Sequence, residues 1–449
     1  MSTSKSCGCG FIPTVIVPGI GQSKTVQLDE KGNVIKTSWP LDIDMKLLKK
    51  KLIPSAVRML LFRHDLGFSK KLKSVLCEAL DPLKCNSDGS QKNNIKVVSY
   101  NYSMAECSAE EKRFIRKMVP FERFADLVGD DHVFYFSFNP FGRAYETIEL
   151  LHDYIAMVKE KTGHDKVNII PISLGGTIVT SYLDKYASDG DIHRVVGIVS
   201  AFDGSTVFSD ILSKNIDLDN YEELFVNLLG KGDGGKLTAM LKKIPKKLVK
   251  LYINIILDSF IETVLLNSPM MWGILPAEQY QELSRRFLSG KQHEKLLKRT
   301  DEAWRVRSDF PALVKKARDH GIEMFSLCGY NIRLFAVASD HVTSDMIVDT
   351  KSASMGAFCA PPGGTLPDGY VQQNTFCSAH DHISPDNAVD ASAGALPDTT
   401  WFYKNMDHEG CAVCDNLLTL AGLLISGDEI TDVFSSPDYP QFNDFVCKS

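Results

Sequence analysis

The sequence predicts an α/β architecture: a mostly parallel central sheet flanked by helices. Short apolar, β-branched runs alternate with helical periodicity in the first half of the chain and again near its end. Between two of those runs lies a stretch with Ile148, Leu151, Ile155 and Val158 on one helical face, which makes a βαβ unit. Length adds a third constraint. A single core stops growing at roughly 250–300 residues, and this chain has 449 residues of which 44% are hydrophobic. One core carrying one large insertion is the expected organisation.

The expected strands, in order, are Thr14–Val17, Lys96–Tyr100, Val133–Phe138, Val167–Ile172, Val195–Ser200, Met324–Leu327, Arg333–Ala338 and Thr399–Tyr403, with a helix over Ala144–Lys161. After Ser173 the chain reads Leu-Gly-Gly-Thr-Ile-Val-Thr-Ser-Tyr-Leu, so a strand turns sharply into a helix at that serine. From 205 to 325 the strand signal disappears and the pattern is helical, with glycine punctuation at Gly230–Gly235. The sequence thus divides into a first core part (1–204), a helical cap or lid (205–325) and a second core part (326–449). Phe358–Asp398, rich in Pro, Gly, Asp and Ser, reads as one long loop of the functional or mobile kind.

A formal net charge of −6 leaves no basic footprint for nucleic acid, and no nucleic-acid partner is expected. One basic cluster, Lys242, Lys243, Lys246 and Lys247, reads either as a solvated face or as a contact that holds the cap transiently at an anionic lipid interface. The longest apolar run, Leu248–Leu266, is broken by Lys250, Asn254, Asp258 and Glu262, short of the ~20 residues a membrane span needs. The first residues lack the charged and apolar segments of a secretory signal, which points to the cytoplasm. Eleven cysteines, an odd number spread over a large chain, read as reduced thiols. Cys7/Cys9 and Cys411/Cys414 lack a second ligand pair, and His380 and His382, with Asp381, Asp386 and Asp390 nearby, read as a solvated polar loop. No metal and no cofactor are expected.

The chemistry is concentrated in three residues. A serine hydroxyl becomes a useful nucleophile when it is exposed on a strained strand-to-helix turn with small neighbours. Ile170-Pro171-Ile172-Ser173-Leu174-Gly175-Gly176 supplies that turn, although Pro171 stands where G-x-S-x-G has its first glycine. The glycine-bracketed loop Val17–Ser23 follows the first strand, so the amides of Ile20 (or Gly21) and Leu174 are the candidate oxyanion donors. An acid and a histidine then follow the late strands in that order: Asp345 as the orienting acid, with Asp340 as its rival, and His408 as the general base, with His380 and His382 as rivals. Met270, Met271 and Trp272 suit a variable acyl chain and are the expected substrate contacts at the pocket mouth.

With those residues in place, the chain resembles the lecithin:cholesterol acyltransferase-like branch of the α/β-hydrolases and, more distantly, small bacterial lipases. The resemblance is carried by Val17–Ser23, Ser173–Gly176, Ala201–Ser205, Asn267–Pro276 and Ser344–Val348, in that order along the chain. It departs from the family pattern at Ile172-Ser173-Leu174, where His-Ser-Met is usual. It implies an acyl or lipid ester as substrate, a covalent acyl-enzyme and no cofactor. The expected activity is that of an esterase or lipase. Phospholipase or acyltransferase action is the alternative within the same chemistry, and a non-catalytic ligand-binding protein is the alternative outside it.

Overall fold

The computed structural model describes residues 10–42, 44–335 and 341–445. Its centre is a parallel sheet in which seven strands are paired among the described residues: β1 (Thr14–Val17), β2 (Val133–Tyr135), β3 (Val167–Pro171), β4 (Ile192–Ile198), β5 (Glu323–Tyr330), β6 (Thr400–Lys404) and β7 (Phe442–Asp444). The spatial order is β7-β6-β5-β4-β3-β1-β2, with every neighbouring pair parallel. All but the edge strand β7 are largely apolar on both faces, as a sheet covered on both sides requires.

The period-2 alternation of the strands separates the two faces. Val15, Val17, Phe134, Ile169 and Phe402 join one core, together with the helices α1 (Ala144–Thr162) and α2 (Gly175–Tyr186). Ile16, Tyr135, Ile170, Leu327 and Trp401 join the opposite core, with Phe121, Phe124 and the buried leucines of the segment Asp415–Ser426. Among the described residues, the long segment between β4 and β5 carries helices joined by short turns and no strand. It includes α3 (Lys246–Phe260), and its apolar residues Val264, Leu265, Met270, Met271 and Trp272 sit in the α1/α2 core. The remaining helix that matters for the site is α4 (Asp415–Ser426).

Several expectations need correction. Lys96–Tyr100 contributes only Ile95–Val97, and not to the main sheet: it pairs antiparallel with Thr25–Leu28, which also pairs with Val34–Trp39. Of the expected Arg333–Ala338, only Arg333 is paired among the described residues, and not in the main sheet. Ile332–Arg333 pairs with Thr343–Ser344 in a separate two-residue ladder, and Ala336–Ala338 lie outside the described residues. Thr399–Tyr403 is not the last strand, because β7 adds beyond it. Phe358–Asp398 is better tied than a plain loop: Phe358–Cys359 pairs with Val389–Asp390, and the buried Asp390 carboxylate accepts from the Tyr370 hydroxyl and the Gln373 amide.

The insertion is anchored where it leaves β4. Gly204, at φ +82°, lies so close to the chain at 274 that an added Cβ would sit 2.0 Å from the Ile274 carbonyl. The Ser205 amide donates to that carbonyl at 2.8 Å, and Asp203 accepts from the Ala277 amide at 3.0 Å. Helix α3, whose apolar surface requires cover, obtains part of it from the helix Phe68–Leu80, with the rings of Phe68 and Tyr252 4.8 Å apart. Within the basic cluster, Lys242 pairs with Glu222 and Lys246 with Asp219, which neutralises part of its charge.

Two glycines test how close packing limits this fold. A Cβ on Gly175 would fall 2.1 Å from the Val17 carbonyl, whereas one on Gly235 meets nothing within 4 Å. Gly175→Ala should therefore destabilise by about 1–3 kcal/mol or more through forced displacement of β1 from α2. Gly235→Ala, within a helix, should be neutral or slightly stabilising. Thermal melts of the two variants check this, and equal melting temperatures would contradict it.

Candidate functional site

The strand order reverses between β1 and β3: the strand that follows β1 in the chain lies to one side of it, and β3 lies to the other. In an open parallel sheet the crevice outside the carboxyl ends at such a point is where ligands bind. Gly19 and Ile20 follow β1 there, and Ser173 follows β3. Between these loops lies a cavity of about 350 Å³, whose walls include Ile20, Ser173 and His408.

Ser173 occupies the turn from β3 into α2 with φ +51°, a left-handed conformation rare for a residue with a side chain. The turn can be this tight because its neighbours are glycines. Besides the Gly175 approach to β1, a Cβ on Gly176 would come within 2.9 Å of the Ala201 amide on the chain leaving β4. Val199 (φ +42°), which lines the same cavity, and Met346 (φ +86°), beside Asp345, are also left-handed. Such strain costs of order 1–3 kcal/mol per residue and concentrates at functional sites.

The loop after β1 is held rigidly. The Gly19 amide donates to Gln22 Oε1 at 2.6 Å, Gln22 Nε2 donates to the Met118 carbonyl at 2.7 Å, and Trp39 Nε1 donates to the Ile20 carbonyl at 2.6 Å. The Ile20 and Leu174 amides, by contrast, donate to no protein acceptor among the described residues. Gly19 faces the serine directly, since a Cβ there would lie 2.9 Å from Ser173 Cβ.

Asp345 and His408 are brought together by the loops that follow β5 and β6. His408 Nδ1 lies 2.8 Å from Asp345 Oδ2, and the His408 amide donates to the Asp345 carbonyl at 2.7 Å. Asp345 Oδ1 accepts from the Ile347 and Val348 amides at 3.0 and 2.7 Å, so a carboxylate only 1% exposed is fully partnered. Gly329 permits this approach: a Cβ on it would fall 2.9 Å from Asp345 Cβ. Burial of the His408 ring opposes its protonation. The Asp345 carboxylate, through its charge and its hydrogen bond, outweighs that and holds the imidazole above its usual value of 6.5. Ser173 Oγ and the imidazole share the cavity without a hydrogen bond between them in this structure.

The other expected residues fall elsewhere. Met270, Met271 and Trp272 are at most 2% exposed and are packed in the α1/α2 core, where Trp272 Nε1 donates to the Leu266 carbonyl at 2.9 Å. Met271 and Trp272 border a void of only about 10 Å³ and do not reach the Ser173 cavity. Their apolar character reflects burial in the core. The cavity wall that the sequence did not indicate comes from Lys117–Pro120 and Phe124 on one side and from Glu409, Cys411 and Leu418 on the other. None of the residues lining it belongs to the insertion. Asp340 and Cys7/Cys9 lie outside the described residues. His382 is buried away from the cavity, and Cys411 donates to the His408 carbonyl at 3.0 Å. A larger surface cavity of about 670 Å³, lined by Arg143, Lys185 and Arg299, is separate from these residues.

The site thus defines a parallel α/β protein with a serine, an amide pair and an Asp–His pair at its switch point. No protein-family model matches the chain, and neither does any curated protein. Among solved structures it is similar to a lipase-esterase related protein from Clostridium acetobutylicum ATCC 824, at 15% identity over 42% of this chain and 87% of that one, with a TM-score of 0.18. A likeness of that size adds nothing to the geometry. Among the described residues no helix is long and apolar enough to cross a membrane.

The electrostatics predict a measurable titration. His408 should titrate above 6.5 by NMR, and Asp345→Asn should lower that value by removing both the charge and the charged acceptor. An unchanged His408 titration in Asp345→Asn would contradict the coupling.

Proposed function

We propose that this chain is a serine carboxylic-ester hydrolase that works through a covalent acyl-enzyme, with Ser173 as nucleophile, His408 as general base and Asp345 as the residue that orients it. The single observation that carries this reading is the Asp345–His408 hydrogen bond on the wall of the cavity into which the left-handed Ser173 faces. Structural ion pairs are common, but few have their histidine in a cavity shared with a serine at positive φ and a glycine-bracketed loop.

With His408 Nδ1–H held by Asp345, the Nε2 lone pair is free to take a proton. Substrate binding closes the gap between His408 and Ser173, as catalytic hydrogen bonds often tighten only in the complex. Ser173 Oγ attacks the ester carbonyl as Nε2 removes its proton. The carbonyl oxygen becomes an oxyanion that accepts from the Leu174 and Ile20 amides, neither of which is claimed by a protein acceptor among the described residues. Collapse breaks the bond to the alcohol, which leaves with the proton from His408. Water, deprotonated by the same nitrogen, then releases the acid and restores Ser173.

Met118, Val119, Phe124, Ile172, Val199 and Leu418 give the cavity mainly apolar walls. Those walls favour an acyl chain over a polar acyl group. The acyl pocket is therefore assigned to the core segments 117–124 and 409–418, with the insertion acting as scaffold on one face of the sheet.

Ser173→Ala should lower turnover of a short-chain nitrophenyl ester by about 10³-fold or more while leaving the thermal melt unchanged. Hydrolysis by the wild type should fall as pH drops through the raised His408 value, because only the neutral imidazole accepts a proton. Retained esterase activity in Ser173→Ala would overturn the assignment.

A further inference from the structure

The geometry points to a structural zinc site formed by Cys377, His380, His382 and Asp398, at the edge of the sheet opposite the Ser173 cavity. One ligand atom from each of the four residues lies within 4.8 Å of every other. Cys377 Sγ is 3.4 Å from His380 Nδ1, His380 Nδ1 is 3.5 Å from Asp398 Oδ1, and His382 Nε2 is 3.1 Å from the same oxygen. Tetrahedral zinc with bonds of about 2.0–2.3 Å separates its ligand atoms by about 3.3–3.8 Å, so the cluster is already near the required size. One thiolate, two imidazoles and one carboxylate are a donor set that selects this ion, and the two anionic ligands balance its charge.

The surroundings of His382 supply independent support. Gln441 Nε2 donates to the Pro397 and Thr400 carbonyls at 2.7 and 3.2 Å, which turns its Oε1 towards His382 Nδ1 at 2.8 Å. A carbonyl oxygen can only accept, so Nδ1 carries the hydrogen. Nε2 is left pointing, buried, at a carboxylate oxygen 3.1 Å away. A proton on the ring or a metal ion between these two atoms satisfies both, and the additional thiol and imidazole donors gathered around the same point favour the ion. A metal-bound histidine characteristically donates its other nitrogen to an oxygen in this way, which fixes tautomer and ring orientation.

His380 and Asp398 are about half exposed, at 46% and 44%, which gives an ion a path from solvent. Asp398 and Gln441 immediately precede β6 and β7, so the cluster lies at the amino ends of strands whose carboxyl ends face the catalytic crevice. The zinc is therefore placed to staple the excursion between Asp345 and His408 onto the base of the strand that leads to His408. It does not touch the reacting ester, and the assignment does not depend on Ser173.

The test is metal loading of the full chain. Purified protein, stripped with a chelator and dialysed, should rebind about one zinc ion per chain from zinc chloride, with release of the Cys377 proton. Cobalt(II) chloride should give tetrahedral d–d bands together with a thiolate-to-cobalt charge-transfer band. Cys377→Ser should abolish that charge-transfer band, and Asp398→Asn, which preserves side-chain volume, should weaken zinc binding at least tenfold. Cys359→Ser, a thiol outside the cluster, should leave both readouts intact. The stripped protein should melt at lower temperature and recover on adding zinc. No stoichiometric zinc in the wild type, or a charge-transfer band that survives in Cys377→Ser, would overturn the site. So would equal zinc affinity in Asp398→Asn.

Discussion

The constraint on which the rest depends is the contact between the start of α2 and the two strands beside it. With Gly175 and Gly176 the helix comes within one side-chain atom of the Val17 carbonyl and the Ala201 amide. That closeness bends the chain sharply enough to hold Ser173 at positive φ and to bring it against Gly19. A Cβ at 19 would displace the serine, one at 175 the end of β1 that leads into the loop bearing the Ile20 amide, and one at 176 the chain at Ser200 and Ala201. The strained turn persists because β1, β3 and β4 are all buried and fully paired around it.

A second close approach assembles the other half of the site. Gly329 near the end of β5 lets the Asp345 loop and the Met406 carbonyl converge, and the left-handed Met346 aims the next two amides back at the Asp345 carboxylate. Three N–H groups then meet a buried charge that would otherwise be costly. The resulting field is what raises His408 against the effect of its own burial. Both halves use glycine to bring backbone to backbone, and both end at one cavity.

Much of this was readable in the sequence, for identifiable reasons. Buried parallel strands are continuous apolar runs, so β1, β3, β4 and β6 announce themselves, and the small residues after Ser173 mark its turn. The side sheet was not readable. Val34 and Ile35 are 63% and 57% exposed, and its pairings are irregular, so the segment has no clean alternation. β7 is three residues long, and two of them, Asn443 and Asp444, are polar. Met270–Trp272 show the limit of composition, because a core and an acyl pocket call for the same side chains and only position distinguishes them. The cavity wall at 117–124 carries no motif at all, since its role comes from where helix Ala109–Met118 ends. The Cys377–Asp398 cluster was hidden for a similar reason: its fourth ligand lies sixteen residues beyond His382.

The central claim is that Ser173 is made nucleophilic by the His408–Asp345 pair within this cavity. The most direct measurement is covalent labelling with a fluorophosphonate, followed by mass spectrometry of the digested protein. The adduct should map to Ser173 in the wild type, and its rate of formation should collapse in His408→Ala while circular dichroism shows the fold retained. An adduct on another residue, or labelling of Ser173 at the same rate without His408, would contradict the account.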